Sequence, residues 1–264
     1  MKNKYRNWFM LSGILAVVLM VCTMRMDYSE IGRSLLRAGI WFPAVLLLWL
    51  FVYLLNACSW YLIINDGKKY PIPFWKVYKL SVSGFALNYT TPCGLMGGEP
   101  YRIMELAPYT GVSKASSSVI LYVMMHIFSH IWFWFLSIFL YIFMYPVSLS
   151  MALLLAVVGA CCLLAVFFFL KGYRAGMMLK ALGLLKKVPF LRKRASGFLE
   201  SKRETLVRID EQIALLHGQH KKTFYSSLVL EFMARLLSSL EIYFVLRAFS
   251  AEVSVGDAVL ILAF

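Results

Sequence analysis

Apolar residues run along this chain in long, nearly unbroken stretches rather than on one helical face or at every second position. Five stretches, at about residues 8–24, 40–64, 119–145, 147–170 and 223–249, are each about as long as the 20 or so helical residues needed to cross roughly 30 Å of hydrocarbon. A helix that is apolar all round has no face to give to water, so these stretches predict membrane spans. Two other patterns separate them. Within 171–222, Met178, Leu179, Leu182 and Leu185 recur at helical spacing, Pro189 interrupts, and Phe198, Leu206, Ile209, Ile213 and Leu216 recur again. Two amphipathic helices along a membrane surface fit this rhythm. From Tyr70 onward the chain is only moderately apolar, with Pro71, Pro73, Lys76, Lys79, Gly84 and Asn88, and then Pro92, Gly94, Gly97, Gly98 and Pro100. A lipid-facing helix does not tolerate that composition.

Composition agrees with the pattern: 264 residues of which 61% are hydrophobic lie outside the range of soluble domains. The placement of the +14 net charge adds orientation. Lys and Arg crowd residues 171–222, which makes that loop cytoplasmic by the positive-inside rule. Counting spans outward puts the N-terminus in the cytoplasm, as Lys2, Lys4 and Arg6 independently favour, and the 25–39 connection outside. A signal peptide is the other reading of the first stretch. Its core is long for one, and Thr23–Met26 offers no small-residue cleavage site, so a retained helix is expected. The five cysteines have no paired-ligand spacing, so neither a disulfide framework nor a metal site is expected. With spans and leucines flanking the basic loop, nucleic acid is not the expected partner.

With this orientation the 40–64 stretch ends inside and the 119–145 stretch begins inside, so the segment between crosses an even number of times. Non-helical backbone at membrane depth survives only where protein or a water-filled cavity satisfies its polar groups. A re-entrant hairpin over about 72–112, broken near Thr90 to Gly98, meets both conditions. Pro100 suits the first turn of its second helix, with Gly98 or Glu99 as cap. The free amides of that turn, joined by Arg102, would favour phosphate. Glu99, Arg102 and Glu105 are spaced by three and can neighbour one another. Either this network merely neutralises itself and pins the loop, or it forms a headgroup site; the second is favoured because ionisable groups at membrane depth are costly. Glu231 and Arg235, four apart in the right order for a helical ion pair, either cancel each other or line the same cavity. His126 and His130 share a helix face; with no third ligand, they are expected to line a polar cavity rather than to hold a metal.

The run "TPCGLMGGEPYRIMEL", following an amphipathic segment and preceding a long apolar span, resembles the flippase-like membrane domain of lysylphosphatidylglycerol synthases and their stand-alone relatives. The likeness rests on Thr91, Pro92, Gly94, Gly97, Gly98, Glu99, Pro100 and Arg102. It implies a multi-pass protein of the cytoplasmic membrane that moves an acidic or aminoacylated phospholipid, or another lipid-linked headgroup, between leaflets. No cofactor is implied. In the lysyl-lipid members a separate soluble domain performs synthesis, and none fits within this chain. Relatives carry an Arg or acidic residue early in the next helix, where this chain has Tyr122, His126, Ser129 and His130, which leaves the substrate open.

The expectation is therefore an all-α polytopic membrane bundle forming a single transmembrane domain over 1–264. Its headgroup site would use Thr91, Pro92, Gly97, Gly98, Glu99, Arg102 and Glu105, with His126, His130, Glu231 and Arg235 lining the cavity. Membrane phospholipids are the expected partners, with a cytosolic or membrane lipid-modifying enzyme as a second. The competing classes are a membrane-embedded headgroup transferase with Glu99 as acid or base, and a scaffold docking a cytosolic enzyme through the basic loop. Transfer is disfavoured by the lack of a second well-placed catalytic group. Residues 253–264 echo 72–83 and would begin a second re-entrant segment entering from the opposite face, an inverted repeat whose second half is incomplete at Phe264.

Overall fold

The computed structural model describes residues 28–66, 69–90, 98–173, 220–249 and 251–264, with isolated positions at 11, 15, 18, 19, 22, 23, 207 and 211. Most of the expected first span, the break at Thr91, Pro92 and Gly97, and most of the basic loop lie outside these residues. Among the described residues every regular element is a helix: α1 (Tyr28–Ala38), α2 (Trp41–Ile64), α3 (Phe74–Thr90), α4 (Gly98–Thr110), α5 (Val112–Met144), α6 (Leu149–Tyr173), α7 (Lys221–Ala248) and α8 (Val255–Ala263).

Among the described residues, α2, α5 and the Leu149–Phe169 part of α6 are long and apolar enough to cross a membrane. Helix α5 starts seven residues ahead of its apolar stretch because Gly111, at φ 82°, reverses the chain directly after α4. Gly39, at φ 54°, plays the same part between α1 and α2. Helix α7 coincides with the expected fifth span and has 28 residues, a length of about 42 Å at 1.5 Å per residue. It falls short on composition rather than length, since Glu231, Arg235 and Glu241 interrupt its apolar surface.

The scaffold is the pair α2 and α7, the most extensive helix contact among the described residues. Small residues let the two backbones approach: Ala57, Ser59 and Ser227 are fully buried, and each serine donates its hydroxyl to the other's carbonyl, at 3.2 and 3.4 Å. Helix α5 packs on both, and α4, α6 and α8 lie against α5. One apolar cluster gathers Trp60, Ile63 and Ile64 of α2, Leu80 of α3, Leu106 of α4 and Met125 and Phe128 of α5. A second joins Leu48 and Val52 of α2 to Ala234 of α7. Large apolar side chains such as Phe51, Phe139, Phe143, Leu164 and Phe168 point outward, as lipid-facing surfaces require.

Helices α3 and α4 form an antiparallel hairpin. Lys76 meets Glu105 at 3.4 Å near its open end, and Asn88 meets Gly98 at its closed end. The open end lies at the same end of the bundle as the α2 terminus, where Lys114 of α5 donates to the Ile63 carbonyl at 3.1 Å and His220 pairs with Asp66 at 3.2 Å. The closed end reaches the middle of α2, with the Phe85 ring 5.1 Å from Tyr53 and 5.7 Å from Trp49. Helix α8 begins with a Ser254/Asp257 capping box and packs on α5 and α7.

Candidate functional site

The hairpin crosses itself at glycines. A Cβ on Gly98 would overlap the Gly84 carbonyl, and one on Gly84 would strike the Arg102 guanidinium. This closeness brings the start of α4 under the side chain of Asn88, whose Oδ1 accepts the Gly98 N–H at 2.6 Å while its Nδ2 donates to Glu99 at 3.2 Å. The cap expected from Gly98 or Glu99 is thus supplied by α3. An asparagine one helix away can satisfy the first orphan amide, which a glycine side chain cannot.

Arg102 is 4% exposed. It donates to the Ser81 carbonyl at 3.1 Å, sits 3.6 Å from Glu99, and lies 5.8 and 5.2 Å from the Trp60 and Tyr122 ring centres. Carbonyl, carboxylate and two aromatic faces together compensate a charge held away from water. The pairing of Arg102 with Glu99 follows the expected spacing. No ion pair between Arg102 and Glu105 is found among the described residues; Glu105 meets Lys76 of α3 instead, at 3.4 Å.

Of the two readings of Glu231 and Arg235, the ion pair along α7 is not found among the described residues. Glu231 is buried on the α5 side of α7, where His126 Nδ1 lies 2.8 Å from its Oε2. His126 in turn offers its backbone carbonyl to His130 Nδ1 at 2.8 Å. Arg235 lies with Cζ 5.4 Å from the Phe133 ring centre, and its Nε is buried without a hydrogen-bond partner. Tertiary packing, not spacing along one helix, decides both partners.

These residues surround one cavity of about 550 Å³ between the two apolar clusters. Helix α2 contributes Tyr53 and Asn56, α3 contributes Ser81 and Asn88, and α4 contributes Glu99 and Arg102; α5 contributes Tyr122, His126 and His130, and α7 contributes Arg235 and Ser238. Glu231 stands behind His126, outside the wall, and Glu105 lies at the far end of the hairpin. Four buried polar atoms in the wall have no hydrogen-bond partner: Asn56 Oδ1, Ser81 Oγ, Arg102 Nε and Arg235 Nε.

A family model described as "Lysylphosphatidylglycerol synthase TM region" matches residues 9–264. The chain belongs to this family. No curated protein and no solved structure matches it. The match extends through the helices that build the cavity, so the wall is made from within the family's own region.

Asn56 and Ser81 were not singled out by motif or spacing. Asn56 carried a signal nonetheless, being a carboxamide inside an otherwise apolar stretch, where a polar side chain marks either a helix contact or a cavity. Ser81 carried none, since serine is common in helices that pack closely.

Proposed function

We propose that this protein carries an acidic or aminoacylated phospholipid, or another lipid-linked headgroup, from one leaflet to the other. The headgroup would occupy the cavity and the acyl tails would stay in lipid. One observation carries the reading: Asn56, Ser81, Arg102 and Arg235, polar residues from four different helices, line one cavity, and each has a buried polar atom without a hydrogen-bond partner. Unsatisfied polar groups are expensive in an apolar surround, and they persist where a polar ligand or water completes them. In this reading α3 and α4 are re-entrant, entering from the cytoplasmic side. The shared end of Lys76, Glu105, Lys114 and Asp66, and the contact of Phe85 with the middle of α2, support it. Helix α8 would open the inverted counterpart, and the N-terminus would be cytoplasmic.

Reconstitution into liposomes with a panel of leaflet-reporting lipids tests the proposal. Faster exchange of at least one anionic or aminoacylated lipid than in protein-free vesicles is the expected result. Movement of none of them overturns it. The 2.8 Å contact of His126 with Glu231 beside the cavity favours, as a second reading, a headgroup transferase using a protonatable pair. Formation of a new lipid species on incubation with a headgroup donor would identify that activity, and docking of a soluble lipid-modifying enzyme on the basic loop is a separate, compatible role.

A further inference from the structure

We propose that Arg235 of α7 is the anion anchor of this cavity, that the group it takes is a phosphate diester carrying one negative charge, and that Arg102 is a positioning residue; this rests on the headgroup reading above and names its ligand chemistry. The two arginines in the wall differ in what they already hold. Arg102 is occupied by the Ser81 carbonyl, the Glu99 carboxylate and two aromatic faces, and it braces the crossing of α3 and α4. Removing it would leave Glu99 beside an unfilled space at the hairpin's closed end. Arg235 has no hydrogen bond or ion pair from its side chain among the described residues. Its one contact of note is the Phe133 ring, which is buried and lies outside the cavity wall. With its Nε buried and one face backed by a ring, this guanidinium keeps its terminal N–H edge for a ligand, and that edge matches two oxygens of a phosphate.

Charge sets the ligand's valence. Glu99, Arg102 and Arg235 are the carboxylate and guanidinium groups of the wall, and Glu99 balances Arg102 at 3.6 Å. Glu231 is screened from the cavity by His126. Among the described residues of the wall, Arg235 is then the guanidinium left to match, which suits a phosphate diester better than a doubly charged phosphate monoester. Asn56 lies in the same wall, and its Nδ2 can donate to the ester oxygens.

The test is binding by the full chain in detergent, read from tryptophan fluorescence, with Trp49 in the cavity wall as a reporter. The probes are phosphatidylglycerol, phosphatidic acid, diacylglycerol and inorganic phosphate. Wild type should bind phosphatidylglycerol more tightly than phosphatidic acid and should not bind diacylglycerol. Arg235→Gln should weaken phosphatidylglycerol binding about tenfold or more, the loss of a charged hydrogen-bonding partner, with an unchanged melting temperature. Arg102→Ala should instead lower the melting temperature. Where the Gln variant does not fold, Arg235→Lys keeps charge and bulk but not the bidentate edge, and a several-fold weakening is expected. Arg235-dependent binding of inorganic phosphate as tight as that of the lipid supports the anion site and makes free phosphate its source. Wild-type affinity in Arg235→Gln or Arg235→Lys, or no phosphate-dependent binding by wild type, overturns the proposal. Intact Arg235-dependent binding without lipid movement in liposomes would sink the transport reading alone.

Discussion

Glu231 and Arg235 sit at a spacing that favours a pair along one helix, yet each finds its contact elsewhere. The reason is relative strength. An exposed pair of this spacing contributes only about 0.2–0.5 kcal/mol, whereas a carboxyl with no exposed side-chain surface must be compensated by whatever the packing brings within reach, here His126 at 2.8 Å. His126→Ala should therefore lower unfolding stability by on the order of 3 kcal/mol, because it strands a buried carboxyl. Replacing both residues, in His126→Ala with Glu231→Leu, should recover much of that loss. Denaturant unfolding in detergent measures both variants, and strictly additive losses would show that the two side chains are not coupled. Arg102 shows the same logic: its spacing to Glu99 was readable in the motif, but its contacts with Ser81, Trp60 and Tyr122 required three further helices.

At the scale of elements, the hairpin depends on two helices meeting at glycines. Gly98→Ala would drive a methyl group into the Gly84 carbonyl, which is backbone and cannot swing aside. The expected cost is about 1–3 kcal/mol, the usual penalty of overpacking, and the Asn88 cap would be displaced with it. Gly159→Ala on α6 is the control, since its nearest neighbour is the tip of Ile138 at 3.5 Å, an ordinary contact. Thermal unfolding should separate the two variants, and equal melting temperatures would contradict the close crossing. The glycines of the motif were evident in the sequence. Their partner was not, because Gly84 lies in a helix whose own pattern gives no reason for a missing side chain.

For the whole molecule, orientation is the expectation that most needs a direct measurement. In a cysteine-free background, Cys introduced at Ser34 should label only from outside and Cys introduced at Lys187 only from the cytoplasm. The reverse at either position would overturn the span count and with it the cytoplasmic entry of the hairpin. Membrane residence, helical class and the position of α2, α5, α6 and α7 were all legible in the order of apolar residues, because burial in lipid acts on each stretch separately and needs no partner. The motif at Gly98–Arg102 was legible for a similar reason, since glycines, a proline and charges between greasy stretches conflict with local rules. The sequence by itself determined those features. Which side chains face one another was decided by tertiary structure: the serine contact that sets α2 against α7, the pairing of Glu231 with His126, and the isolation of Arg235 all depend on how close helices distant in the chain approach. That closeness follows from small side chains meeting across an interface, a property of pairs of surfaces that no single stretch of residues contains.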